Sequence, residues 1–439
     1  MKKPLLFILS LIALSVFAQS KPDSLRITLQ QAIDIALNEN PTIRIADRTI
    51  ETKKLYKKEQ IVALFPDITA AASYQRTLLK QQMAMDFNGQ SMEIEVGKYN
   101  NAALSANLTL PIIAPALWNS IKLTSMDIEL AVEQSRASKV ALINNIKKAY
   151  YGVLIAEESY RVLMDNYKNI EQKAKLITNK YNQGLVSEFE KLRADVQVQN
   201  AKPNINAAIN AVALSQKALK IYMGVDINEP LIFTGELKNF ETEMETAKLP
   251  EMNTLSLESN SNLKQMDMAI QQLERSQKIV LSGACPMLAL SGNFQYMTMG
   301  DDIPVKDFKW FPTSGIGISL QIPIVSWAAT SYKMKQIKNN ILNMNDNRMN
   351  LERSLWLSVS SNLSNIDKAI ADFESGRESI KMAARAYSIV QKQYEVGMAT
   401  WLDLNDAELA LLNSQLYYYQ SIYDYLVAQA ELEYVLGKN

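Results

Sequence analysis

The sequence predicts an α+β membrane protein, with four β-strands per chain, paired as two hairpins, and long helices continuing from them. Three observations carry this. A glycine-centred stretch occurs twice, so the chain reads as two halves built on one plan. Each half holds two segments that alternate with period two, each roughly ten residues long, the length that crosses a bilayer when tilted. Each half also holds a helical run several times the usual helix length.

The repeated stretch is Lys180–Asp195 in the first half and Gln393–Glu408 in the second. At one fixed offset Tyr181 matches Tyr394, Gly184 matches Gly397, Ser187 matches Thr400, Ala194 matches Ala407 and Asp195 matches Glu408. A glycine that ends a helix, followed by a Ser or Thr able to cap the next, reads as a tight helical turn.

Taken in order, residues 1–18 read as a signal peptide: a basic start at Lys2 and Lys3, an apolar run from Leu5 to Phe17, and small residues before Gln19. The run is short for a retained anchor, and no cysteine follows the cleavage point to carry a lipid. The first repeat, 19–223, opens with a helix that has Leu29, Ile33, Ala36 and Leu37 on one face and is interrupted at Asn40-Pro41. At Phe65-Pro66 the period changes to two. Ile68, Ala70, Ala72 and Tyr74 alternate with polar and small neighbours. After a polar connection from about Leu79 to Lys98, the strand Leu104–Leu110 alternates with Ser105, Asn107 and Thr109 and is expected to close at Pro111. A helix then runs to about Tyr181, with apolar residues from Ile146 to Ile177 at intervals of three and four. After the Gly184 turn, a return helix spans Glu188 to about Met223, where Pro203 is expected to bend it.

The stretch 224–260 is irregular and acidic, and reads as a connector with short elements. The second repeat, 261–439, has strands at Met287–Met299 and Ile316–Ile322, the latter closed by Pro323, with Gly300–Pro312 connecting them. A second long helix follows from Ser326 towards Tyr394, then the Gly397 turn and a return helix from Leu402 to about Leu436.

Composition narrows the function. The chain has 46 basic and 46 acidic residues, so nothing favours a nucleic-acid partner. It has no histidine, which removes the commonest general base and metal ligand together. No cofactor, metal site or enzyme activity is expected. The single cysteine, Cys285, reads as a buried or lipid-facing small hydrophobe. After the signal no apolar run is long enough for a transmembrane helix, so a membrane location requires a β-barrel.

Two hairpins leave two open sheet edges, which lipid does not tolerate, so several copies must close the barrel. Three copies give twelve strands and four give sixteen. With Ser105, Asn107, Thr109, Ser319 and Gln321 facing a wet lumen, the alternating Leu and Ile residues face lipid; the opposite choice would place Asn and Gln in hydrocarbon. Phe65, Tyr99, Trp310 and Phe311 are candidates for interfacial aromatic belts, and Trp118 and Trp327 for the strand-to-helix junctions.

The sequence resembles the TolC-type outer membrane efflux protein family. The resemblance rests on Tyr181-Asn-Gln-Gly-Leu-Val186, on Tyr394-Glu-Val-Gly-Met-Ala-Thr-Trp-Leu-Asp-Leu-Asn-Asp-Ala407, on Leu29–Pro41, and on Phe65-Pro66 before the first strand. It implies a homotrimer with a twelve-stranded barrel in outer-membrane lipid of a Gram-negative bacterium. A helical barrel would extend into the periplasm. The implied function is the passive exit duct of a tripartite efflux pump or type I secretion system. Its partners would be a periplasmic adaptor and an inner-membrane transporter. It further implies that the tips Tyr181, Gly184, Leu185, Val186, Gly397, Met398 and Thr400 contact the adaptor. Asp403 and Asp406 would line the periplasmic aperture, and Tyr394 and Glu190 would belong to its lock. Ala399 stands where the family has the basic partner of Glu190, so Trp401 is the candidate for apolar closure. The competing reading is an exported periplasmic coiled-coil scaffold without channel activity, which leaves the paired hairpins unexplained. A general diffusion porin would need far more strand, and two acids three apart on one helix make no glycosidase cleft.

Overall fold

The computed structural model of the chain describes residues 25–87, 90–302, 309–324 and 327–438; the expected signal segment lies outside them. In chain order the first half contains β1 (Leu25–Ile27), α1 (Leu29–Glu39), α2 (Pro41–Val62), β2 (Asp67–Arg76), β3 (Gln81–Phe87), β4 (Gln90–Val96), β5 (Asn100–Ile113), α3 (Pro115–Asn182) and α4 (Glu188–Met223). Then come β6 (Leu231–Phe233), α5 (Glu241–Thr246), α6 (Ser261–Ser282), β7 (Met287–Gly300), β8 (Phe311–Gln321), α7 (Trp327–Glu395) and α8 (Trp401–Leu436), with two short 3-10 turns in the connector. No helix among the described residues is long and apolar enough to cross a membrane.

The contacts divide the chain into two units. The sheet unit takes Thr42–Val140, Glu251–Ser360 and the C-terminal residues from Glu433. Its sheet has the order β2-β5-β7-β8, with every neighbouring pair antiparallel. Two boundaries differ from the sequence expectation. β5 runs through Pro111 to Ile113, with its register shifting there. β2 accompanies β5 only as far as Thr109, so Pro111 stands where one flank of the strand is open and a proline is tolerated. β8 starts at Phe311 and includes Pro312, which an edge strand also accommodates. The expected polar connection of residues 79–98 instead holds a further hairpin, β3 with β4. Cys285 is exposed, in a turn after α6 where its N–H donates to the Ser282 carbonyl, and not buried.

The helical unit takes the chain up to Pro41, Ala141–Pro250 and Ser361–Leu432. Thr28 caps α1 through a reciprocal box with Gln31, and Asn40 ends that helix before Pro41 starts α2. β1 pairs in parallel with β6, and Tyr150 of α3 donates its hydroxyl to the Ile27 and Thr234 carbonyls beside that pair. Gly224 ends α4 at φ 76°; a Cβ there would lie 2.7 Å from the Asn40 Cα, so glycine is required by both conformation and space. α4 is one continuous helix through Pro203.

Candidate functional site

The two glycine turns are built alike. Gly184 has φ 71° and Gly397 φ 76°. In the first, the Gly184 N–H donates to the Tyr181 carbonyl and the Leu185 N–H to the Lys180 carbonyl. In the second, Gly397 donates to Tyr394 and Met398 to Gln393. This is the glycine helix-ending that satisfies the last carbonyls of α3 and α7. Each return helix then starts on a hydroxyl. Ser187 accepts from the Glu190 N–H, and Thr400 accepts from the Asp403 N–H at 3.2 Å.

The residues of the two turns divide by exposure. Leu185 (69%) and Met398 (82%) project into solvent with Phe189 and Val396. Val186 instead packs inward. Ala174 and Ile177 of α3, Ala194 of α4, and Trp401 and Leu404 of α8 form one buried cluster, and Val186, Tyr387, Val390 and Tyr394 pack against it. The Trp401 and Tyr394 rings meet edge to face at 5.8 Å. The Tyr394 phenol is pushed up first by burial and then by the negative charge of Glu190, so those two residues lie within electrostatic reach. Lys191 stands over the Tyr181 ring.

Asp403 and Asp406 are both exposed on α8, one turn apart. They are not equivalent. Asp403 Oδ2 accepts from the Thr400 N–H at 2.8 Å and from the Thr400 hydroxyl at 2.6 Å, which completes a capping box. Those two bonds, the hydroxyl's first, hold its carboxyl below the usual range. Asp406 makes no hydrogen bond or ion pair among the described residues.

Two polar contacts under the turns were missed from sequence. Lys173 of α3 pairs with the nearly buried Glu408 of α8 at 2.7 Å, with its ammonium also over the Tyr387 ring. Gln197 of α4 donates to Asn405 of α8. The acid at 408 was visible as the counterpart of Asp195, but a partner 235 residues away leaves no local signal.

In the sheet unit, register decides which side chains share a face, because opposed residues of an antiparallel ladder point the same way. Ser105 opposes Gln295, Asn107 opposes Asn293, and Thr109 opposes Ser291. Ser319 opposes Ala289 and Gln321 opposes Met287. All five expected lumen residues therefore fall on one face, joined across β2 by Asp67, Thr69 and Ala71. The opposite face carries Ile68, Leu104, Leu108, Leu290, Phe294, Ile316, Ile318 and Leu320. Ile316 (87%) and Ile318 (70%) are largely uncovered in the single chain. Among the described residues β2 and β8 each pair on one side only.

Comparison with known proteins gives a consistent result. The family model described as outer membrane efflux protein matches residues 32–225 and 254–438. The chain is 24% identical over 458 residues to the outer membrane protein TolC of Salmonella enteritidis, covering all of this chain and 86% of the relative. It is 23% identical over 452 residues to TolC of Escherichia coli K12, covering all of this chain and 87% of the relative. In fold it is similar to the Campylobacter jejuni CmeC outer membrane channel, with TM-score 0.73, 18% identity, and coverage of 93% of this chain and 85% of that one.

Proposed function

The chain belongs to the outer membrane efflux protein family, and from that premise we propose that three copies join through the free edges of β2 and β8 into a twelve-stranded barrel. The protein is the outer-membrane channel of a tripartite efflux or secretion system, reaching into the periplasm. It is a passive conduit and not an enzyme.

One observation supports the assembly: a two-faced, four-stranded sheet with both edges unpaired among the described residues. Lipid leaves no partner for the edge N–H and C=O groups, so closure by copies is the physical solution. The polar face with Ser105, Asn107, Thr109, Ser319 and Gln321 then lines a water-filled lumen, and the Leu and Ile face meets lipid.

In this reading the glycine turns are the periplasmic tips. Leu185 and Met398, with Gly184, Gly397, Tyr181 and Thr400, present the surface that meets the adaptor, while Val186 anchors its turn to the core. Asp406, repeated once per copy, supplies the ring of charge at the aperture; Asp403 adds charge but first serves its helix cap. Since Ala399 offers Glu190 no cation, closure rests on the apolar cluster around Trp401 and Tyr394. Separation of membranes with a planar-bilayer recording tests this. Expected is a protein in the outer-membrane fraction that needs detergent for release and forms cation-preferring pores. A water-soluble protein without conductance would favour the coiled-coil scaffold.

A further inference from the structure

In the sheet unit, all four strands meet helices at one end of the sheet: α2 leads into β2, α3 leaves β5, α6 leads into β7 and α7 leaves β8. The charge of those helices is uneven. In the about three turns nearest the sheet, α2 carries Lys53, Lys54, Lys57 and Lys58, and α3 carries Lys122. The same depth of α6 holds Arg275 and Lys278, and α7 holds Lys333, Lys335 and Lys338. Against these ten cations stand three acids, Glu51, Glu59 and Glu274, in a chain whose charge totals zero.

The chain itself makes little use of them. Among the described residues, Lys54 lies 3.8 Å from Glu51, Arg275 donates to the Asn119 amide oxygen, and Lys335 stands over the Tyr332 ring. Lys54, Lys58, Lys122, Lys278 and the three lysines of α7 are exposed. Interleaved with them are Trp118 (44%), Trp327 (67%) and Tyr332 (66%), also exposed. Aromatic rings next to lysines at the end of an apolar surface are the side-chain pattern of a membrane interface.

We propose that this basic band binds the phosphate headgroups of anionic phospholipid in the leaflet on that side of the sheet. The inference rests on the sheet lying in the membrane. Charge complementarity selects the partner: each cation near an anionic surface strengthens binding by about fivefold, within a Debye length of about 8–10 Å. The band begins on the order of 10–15 Å from the strand ends by helix rise, and lysine stems shorten that gap by extending along apolar surface towards the headgroups.

The test uses the full protein in phosphatidylcholine vesicles containing brominated phosphatidylglycerol or brominated phosphatidylcholine, with tryptophan quenching as the readout. Trp118 and Trp327 stand beside the band and report on it. Expected is an apparent preference for the anionic lipid of about fivefold or more. It falls towards unity in high salt and in two variants, Lys53→Gln/Lys54→Gln/Lys57→Gln/Lys58→Gln and Lys333→Gln/Lys335→Gln/Lys338→Gln, whose single-channel conductance and ion selectivity stay at the wild-type level. A preference that is absent, or that survives in both variants, overturns the proposal. So does a change of ion selectivity in the variants, which would place the lysines along the aqueous path. Absence of quenching by either lipid in the wild type would instead show that the sheet is outside the bilayer, and both readings would fall together.

Discussion

Asp403 and Thr400 bind each other in both directions: the carboxylate accepts the Thr400 N–H and hydroxyl at 2.8 and 2.6 Å, and the hydroxyl accepts the Asp403 N–H at 3.2 Å. An acid that the family resemblance implies for an aperture is therefore also the residue that closes the capping box at the start of α8. The observed cap and the proposed aperture charge make different demands on a variant. Asp403→Asn is expected to loosen the first turn of α8, whereas Asp406→Asn is expected to leave that turn intact. Both should weaken cation preference in bilayer recordings. Unchanged selectivity in both variants would remove the aperture assignment.

The same cap gives a pH signature. The folded Asp403 carboxyl titrates below the unfolded value of about 3.9. Its contribution is complete above that value and is lost as pH falls through the folded one. Hydrogen exchange at the start of α8, corrected for intrinsic rates, should show protection falling with acid in the wild type and flat in Asp403→Asn. Parallel curves would mean that the cap does not form in solution.

The Lys173–Glu408 pair should behave as a buried ion pair. Lys173→Met leaves the Glu408 carboxylate uncompensated and is expected to cost about 3–5 kcal/mol. The apolar double variant Lys173→Met/Glu408→Leu should recover most of that loss. Thermal unfolding of the two variants checks the sign. A single variant as stable as the double would show that the pair is solvated.

Trp401→Ala removes the largest side chain of the cluster under the glycine turns and is expected to cost about 3–5 kcal/mol. If apolar contact closes the tips, conductance rises as well. A destabilised variant with wild-type conductance would separate the cluster from the gate.

The glycines should sort by surroundings. At Gly184 and Gly397 an added Cβ meets no atom of the described residues within 4 Å, so Ala costs only the left-handed backbone, about 1–2 kcal/mol. At Gly437 the same Cβ would lie 2.3 Å from the Ser259 carbonyl oxygen, so Ala should prevent correct packing there. Expression and heat resistance of the three variants will rank them. Bulky residues at 184 or 397 are expected to impair coupling to the adaptor before they impair membrane insertion.

What could be read from the sequence follows physical locality. Helix ends at Gly184 and Gly397, and helix starts at Ser187 and Thr400, depend on neighbours a few residues away, and the residues state them directly. The alternation of Leu104–Leu110 likewise reported a two-faced strand. The β3–β4 hairpin leaves a weaker trace: Met92-Glu93-Ile94-Glu95-Val96 alternates and Asn88-Gly89 is a hairpin signal, but the polar composition of residues 79–98 is equally that of a connection. The β1–β6 pair has three residues a side, joined across 206 positions, and has no periodicity to detect. Asp403 as a cap is visible in Thr400-Trp-Leu-Asp403, which has the capping-box spacing.

Closure of the sheet by three copies through β2 and β8 would leave a covalent signature. With Cys285 replaced by serine, Ala71→Cys on β2 can be combined in turn with Gly317→Cys or Ser319→Cys on β8, positions that register places on the same face. Opposed Cβ atoms across a ladder approach to about 4.5–5.5 Å, near enough for a disulfide after slight adjustment. Oxidation of one such pair in native membranes is expected to yield a ladder of bands ending at a covalent trimer. A ladder ending at a dimer or tetramer, or a chain that stays monomeric at every pair tried along β8, would contradict it.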